Sequence, residues 1–319
     1  MSTDDPLREP AETAITQCMA LESDESCVIV TDDKRDPIGQ ALYAVASEIT
    51  DDALLVRYPP GETHGGEPPE PVAAAMAASD VSLAPTTKSI THTRARVEAT
   101  RAGARVATLP GITEEVFRTG LDADYESIAA HCEAVLEQVA DATEVRVETA
   151  RGTDITFDLG DRSFLSDTGI VHEPGASSNL PAGEVFVSPV SADGRFVVDG
   201  TMAPHGLLAE GQDLTFEVED GLVTHISDET IRETVETAAE EVGDAAYNLA
   251  ELGIGTNVAV TDLIGSVLLD EKAAGTVHIA IGDDSGIGGD VEAPIHLDGI
   301  VRDPAVFADG VEVDLPRAP

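Results

Sequence analysis

The stretch CVIVTDDKRDPIGQALYAVASEITDDALLVRY, residues 27–58, decides the fold. It opens on a short apolar run, CVIV (27–30), and closes on another, ALLVRY (53–58). Between them IGQALYAVASEI places its apolar residues at helical spacing with an alanine-rich face. Short runs that are apolar at every position are the pattern of strands buried on both faces, as in parallel sheets. The unit repeats: PEPVAAAMAASD (69–80) leads to VSLA (81–84), and THTRARVEATRAG (91–103) leads to RVATLP (105–110). Strand and helix alternating at this pitch predict a doubly wound α/β domain. The first strand is followed by TDDKRDPIG, not by a glycine fingerprint, which disfavours a dinucleotide-binding fold.

From Glu114 to Ala140 the spacing predicts helix, after which EVRVETARGTDITFDLG (144–160) alternates with period two around a turn at Arg151–Asp154. The change of period marks a domain junction near residue 143, giving an N-terminal domain 1–143 and a C-terminal domain 144–319. GRFVVDGTMA, DLTFEVEDGLVTHI and GTVHIAIG read as strands joined by Asp-Gly turns suited to hairpins. One long helix interrupts them, starting at Ser227-Asp228-Glu229 and running through ETIRETVETAAEEVGDAAYNLAEL to residue 252. The C-terminal domain is therefore expected to be an antiparallel-rich α+β, metal-binding domain.

Composition governs how each charge is read. With 61 Asp+Glu against 18 Lys+Arg the formal charge is −43, and three of the basic residues are lysines, Lys34, Lys88 and Lys272. Such a field repels nucleic acid and anionic membrane surfaces, so neither is expected as a partner. A hydrophobic content of 42% is that of a folded chain, so the acidity points to a halophilic protein whose self-repulsion a salty cytoplasm screens. No 18-residue apolar run and no apolar leader at MSTDDPLREP are present, so a cytoplasmic location is expected. Cys18, Cys27 and Cys132 have no paired spacing and read as reduced, buried thiols.

Four phrases place metal-competent side chains in apolar settings: Glu184 in NLPAGEVFVSP, Glu251 in NLAELGIGTN, His278 in GTVHIAIG, and His296 with Asp298 in APIHLDGIV. Carboxylates and imidazoles are the donors that hold Zn²⁺, Co²⁺, Mn²⁺ or Fe²⁺. Each has a plainer reading. Glu184 could be a solvated edge residue, Glu251 the solvated end of the long helix, and His278 a hydrogen-bonded strand histidine. His296 and Asp298 form the strongest local signal, because i, i+2 spacing on a strand puts both side chains on one face. Even so, they could form a simple ion pair. Lys272, six residues before His278, either compensates carboxylate charge there or lies on the surface. Thr91-His92-Thr93 stands at the carboxyl edge of the first sheet, where open α/β folds bind ligands, or else supplies a helix cap. Gly286-Ile287-Gly288-Gly289 and His64 read as loop chemistry, and His131, His172, His205 and His225 have no partner spacing.

These phrases, with the DEKAAGTVHIAIG run and the HLD that follows, resemble the aminopeptidase T family of metallo-aminopeptidases, and SITHTRARVEATRAGARVATLPGIT extends the likeness over about residues 80 to 300. The resemblance implies a two-domain homodimer that removes leucine-like N-terminal residues from a peptide or amino-acid amide substrate. It also implies two divalent metal ions, Zn, Co or Mn, with Glu184, Glu251, His278, His296 and Asp298 as metal ligands. Such ions would activate a water and polarise the scissile carbonyl, with Glu184 or Glu251 as proton shuttle and Lys272 as a neighbour. One departure stands out: many relatives carry a tyrosine shortly after the strand histidine, and this chain has none after Tyr247. The alternative is a mononuclear iron ring-cleaving dioxygenase of the same superfamily, built on two histidines and a carboxylate drawn from His278, His296 and Asp298. A catalytically silent metal-binding homologue is the third reading.

Overall fold

A computed structural model describes residues 5–317. The chain divides into two compact units. One comprises the chain up to Ala129 together with Asp167–Ala182; the other comprises Ala130–Ser166 and Gly183 onward. The chain thus passes between units three times, where the sequence reading placed one junction near residue 143.

In the first unit a short helix α1 (Arg8–Glu12) runs into a π-helical turn, Thr13–Cys18. Then follow β1 (Cys27–Asp32), α2 (Asp36–Ile49), β2 (Ala53–Tyr58), α3 (Glu70–Ala77), β3 (Val81–Thr86), α4 (Arg94–Ala102), β4 (Arg105–Pro110) and α5 (Glu114–Leu121). The sheet has the order β2-β1-β3-β4-β8, where β8 is Ser177–Asn179, and every pairing is parallel. β1 and β3 are buried at all six positions, which is why their sequences are apolar without alternation. The chain goes from β1 outward to β2 and then returns to β3 on the other side, so helices cover both faces as the doubly wound pattern predicts. Helix starts are set by threonine caps: the Thr93 side chain accepts from the Arg96 amide, and that of Thr113 from the Val116 amide at 3.2 Å. Thr93 is therefore a cap, the plainer of the two readings of Thr91-His92-Thr93. The helix predicted from Glu114 to Ala140 is in fact two, α5 and α6 (Tyr125–Val139), broken at Asp122.

The second unit carries two antiparallel sheets. Their strands are β5 (Glu144–Glu148), β6 (Asp154–Asp158), β7 (Leu165–Asp167), β9 (Glu184–Val187), β10 (Ser191–Val198), β11 (Thr201–Met202), β12 (Gly206–Leu207), β13 (Leu214–Glu219) and β14 (Leu222–Ile226). After helix α7 (Glu229–Val242) come β15 (Leu249–Gly255), a short α8 (Val267–Asp270), β16 (Val277–Gly282), β17 (His296–Val301), β18 (Ala305–Ala308) and β19 (Val311–Glu312). One sheet has the order β14-β13-β10-β6-β5-β18-β19 and alternates buried and exposed residues, as in β13 and β6. Phe196 of β10 and Phe216 of β13 stack in its core with centroids 4.5 Å apart. The other sheet has the order β12-β11-β17-β16-β15-β9-β7, and its three middle strands β16, β15 and β9 are buried almost throughout.

The long helix differs from its predicted extent. Asp228 caps α7 as expected, its carboxylate accepting from the Ile231 amide at 3.0 Å, but the helix ends at Gly243, whose φ is +65°. A 3₁₀ turn, Gly243–Tyr247, then delivers the chain into β15. Glu251 is consequently a strand residue, not the end of a helix. The three cysteines are free and buried. No helix among the described residues is long and apolar enough to cross a membrane.

Candidate metal centre

Register in the second antiparallel sheet places all five sequence-predicted ligands on one face. Glu184 of β9 pairs with Gly255 of β15, and Gly253 pairs on one side with Phe186 and on the other with His278 of β16. Glu251 lies opposite Ala280, which lies opposite Asp298 of β17, and Gly282 lies opposite His296. Because side chains alternate between faces, Glu184, Glu251, His278, Asp298 and His296 all project the same way from four neighbouring strands. The residues interleaved with them on that face include Gly253, Gly255, Ala280 and Gly282. A β-carbon at Gly253 would overlap the Cε1 and Nε2 atoms of His278. The imidazole therefore lies across the β15 backbone, and only glycine leaves it room.

The resulting contacts link the side chains in a chain. His278 Nε2 is 3.2 Å from Glu251 Oε1 and 3.4 Å from Glu184 Oε2. Glu251 turns its other oxygen, Oε2, toward His296 Nε2 at 3.3 Å, and His296 Nε2 is 3.3 Å from Asp298 Oδ1. His296 Nδ1 is 2.7 Å from the carbonyl oxygen of Asp283. Donation to that carbonyl fixes the tautomer that leaves Nε2 as a lone-pair donor. Lys272 is buried, 3% exposed; its ammonium donates to Glu184 Oε1 and lies 2.8 Å from Glu271 Oε1. Of the two readings of Lys272, compensation of carboxylate charge is the one observed.

The electrostatics follow from four carboxylates, two imidazoles and one ammonium gathered with little solvent. Burial pushes Glu184 up to about 7 and also raises Glu271. For Glu251 burial acts in the same direction, but hydrogen bonds from His278 and His296 outweigh it and hold the carboxyl well below its usual range. Burial disfavours charge on His278 as well, yet the bond to Glu251 and the fields of Glu184, Glu251 and Asp298 push it up to about 9. His296 is raised by Asp298 and Glu251 against the same opposition, and Asp298 is lowered, chiefly by His296 acting against burial. The excess of carboxylate thus draws positive charge onto the imidazoles, charge that a bound divalent cation would supply instead. Two further observations fit a cation: Glu184 Oε2 and His278 Nδ1 are buried without a hydrogen-bond partner. Donor atoms of Glu184, Glu251 and His278, and again of Glu251, His296 and Asp298, lie within 4.8 Å of one another. The cluster can hold metal, and Glu251 is common to both groups.

Two members were not anticipated. Glu271 stands beside Lys272 in the DEK run, and Gly253 stands within ELGIG; their signal was visible as an acidic neighbour and as a glycine inside a buried strand. The connection from His278 to His296 is organised by Asp284, which is 2% exposed. Its Oδ2 accepts from Ser188 Oγ at 2.9 Å and Asn248 Nδ2 at 3.1 Å, and its Oδ1 accepts from the Val291 amide at 2.7 Å. A β-carbon at Gly289 would overlap the Asp284 carboxylate, so the Gly286–Gly289 run is a structural turn, as read. In the first unit Thr91 Oγ1 lies 2.8 Å from Thr108 Oγ1 and 3.1 Å from Asn179 Oδ1, a hydroxyl cluster at the carboxyl edge of the parallel sheet.

Comparison with known proteins supplies the rest. The solved 2,5-dihydroxypyridine dioxygenase of Pseudomonas putida KT2440 superposes with a TM-score of 0.80 over 100% of this chain and 97% of that one, at 19% identity. AmpT from Thermus thermophilus gives a TM-score of 0.65 over 96% of each chain, also at 19% identity. Both likenesses establish the fold. No curated protein matches. The model of the NicX family, 2,5-dihydroxypyridine 5,6-dioxygenase, matches residues 10–314. That match overturns the aminopeptidase expectation, and with it the hydrolase, protease and peptide-substrate readings. The phrases that suggested a peptidase belong to the scaffold and donor cluster, which a dioxygenase and an aminopeptidase can share, whereas the tyrosine expected after the strand histidine is missing. The chain belongs to the NicX family of 2,5-dihydroxypyridine 5,6-dioxygenases.

Proposed function

We propose that this protein is an iron-dependent dioxygenase that opens the ring of a dihydroxylated pyridine, with 2,5-dihydroxypyridine as the substrate to test. The observation that carries the reading is the family match along residues 10–314, for which the centre described above offers fitting ligands. His278 and His296 provide two imidazoles and Asp298 a carboxylate, the donor type that suits non-haem iron(II) with positions left for substrate and oxygen. Iron held there would supply the redox chemistry for activating dioxygen and a Lewis acid for a ring hydroxyl.

The chain's own residues prepare that site. His296 keeps Nε2 aimed inward by donating Nδ1–H to the Asp283 carbonyl, and Gly253 lets the His278 ring lie flat across β15. Glu251 sits between the two rings with one oxygen toward each, so it fixes their relative orientation. Lys272 balances Glu184 beneath the centre, and the buried strands β15 and β16 exclude water from its floor.

The test is direct. The apoprotein is reconstituted with Fe²⁺ under anaerobic conditions in about 1 M KCl, the range where screening is short, and then given 2,5-dihydroxypyridine and oxygen. Oxygen uptake should match loss of the substrate's ring absorbance, and Asp298→Ala should abolish both. Iron-loaded, folded protein that consumes neither oxygen nor substrate would sink the reading and leave a silent metal-binding homologue.

A further inference from the structure

We infer that the Lys272 ammonium stands in for a second cation, so that the centre takes up one divalent ion, on the side of His296 and Asp298, and Glu184 is not among its ligands. The inference rests on the proposed iron reading only for which ion is bound.

The two donor groups share Glu251, and a two-ion centre would use both. They are not equivalent. The Glu251–His296–Asp298 group consists of carboxylates and imidazole alone. In the Glu184–Glu251–His278 group, Glu184 Oε1 is already the acceptor of the buried Lys272 ammonium, which Glu271 also flanks. A dication placed among Glu184, Glu251 and His278 would face that fixed positive charge across one carboxylate, in a buried setting where like charges are poorly screened. Lysine is scarce in this chain, one of three in 319 residues, so its burial at this spot is a specific feature and not a sampling of a lysine-rich surface. Lys272 is held from both ends. Its amide donates to the Leu269 carbonyl, and its own carbonyl accepts from the Asn257 amide at 2.8 Å, which anchors the residue beside β15. Glu184 thereby acts as partner to the ammonium and as a wall to His278, whose Nε2 lies 3.4 Å from Oε2.

The experiment counts ions. Full-length apoprotein is loaded with Mn²⁺ or, under anaerobic conditions, Fe²⁺; unbound ion is removed and metal per chain is measured by mass spectrometry, with circular dichroism to establish folding. Wild type should hold one ion per chain and Lys272→Ala two, because removing the ammonium frees Glu184 and Glu271 as ligands. Glu184→Gln should keep one ion with affinity lowered by no more than about 10–100-fold, the range for a residue that acts behind the ligands. Two ions in wild type, a folded Lys272→Ala chain with one ion, or a folded Glu184→Gln chain with none would each overturn the inference. If Lys272→Ala does not fold, wild type and Glu184→Gln decide. One bound ion without dioxygenase turnover would overturn the function proposed above and leave this inference standing.

Discussion

Gly253 is the smallest residue in the centre and among the most constrained. His278 reaches Glu251 and Glu184 only by lying over the β15 backbone, and a methyl group at residue 253 would occupy the ring's place. Gly253→Ala should therefore push the imidazole aside or separate β15 from β16. The expected cost is about 1–3 kcal/mol of stability, the range for overpacking a well-packed site, and metal affinity should fall with it. Chemical denaturation followed in parallel with isothermal titration of Mn²⁺ checks both; a variant with unchanged stability and affinity would show that the ring is not held across the strand. The same crowding of carboxylates makes the bound ion a source of stability. An ion that binds only the folded chain stabilises it by about 4 kcal/mol when present at about a thousand times its Kd. Chelation should accordingly lower the melting temperature, and in Asp298→Ala the difference between loaded and chelated protein should shrink. Equal melting with and without chelator in wild type would mean that no such ion is held.

At the level of elements, the decisive feature is the connection between β16 and β17. It carries Asp283, whose carbonyl orients His296, and Asp284, which fastens the loop to Ser188, Asn248 and Val291. Asp284→Ala would leave those donors short of an acceptor, at about 1–3 kcal/mol for a buried unsatisfied group. It should also weaken metal binding by about 10–100-fold, as loss of an outer support does. Calorimetric titration of the folded variant measures this, and unchanged affinity would show that the loop does not position His296. What was legible in the sequence also divides by element. The runs 53–58 and 105–110 coincide with β2 and β4 because central parallel strands are apolar at each position, or nearly so, and are bounded by turns. His296 and Asp298 were legible as one strand face because i, i+2 spacing needs no tertiary information. Glu251 was misread as a helix end because alanines and tyrosine continue the helical period past Gly243, and the break rests on that glycine's φ of +65°, a tertiary outcome. The orientation of His296 depends on a backbone carbonyl, which carries no residue-type signal.

At the scale of the whole molecule, the net charge of −43 and the choice between two chemistries share one lesson: composition and donor sets describe a setting, and the setting alone does not name the reaction. Two carboxylates, two histidines and an aspartate on one sheet face suit a peptidase and a dioxygenase alike. The family match along residues 10–314 separated them, and the missing tyrosine was the one hint within the chain. Charge makes a prediction of its own. Ion pairs such as Arg146 with Asp154 and Arg57 with Asp33 are exposed, and pairs of that kind contribute about 0–1 kcal/mol each, so salt removes little when it screens them. The surplus of carboxylates has no such partners, and its mutual repulsion is what salt relieves. The Debye length falls from about 10 Å at about 0.1 M to about 3 Å at about 1 M, shorter than the spacing of most surface charges. Raising KCl over that range should therefore raise the melting temperature, by on the order of 10 °C if a few kcal/mol of repulsion is relieved in a chain of this size. Sucrose at equal osmolality is the control, since it strengthens burial without screening charge. A larger rise in KCl than in sucrose supports charge screening as the cause; an equal rise, or none in KCl, would mean that the acidic surface does not set the stability of this protein.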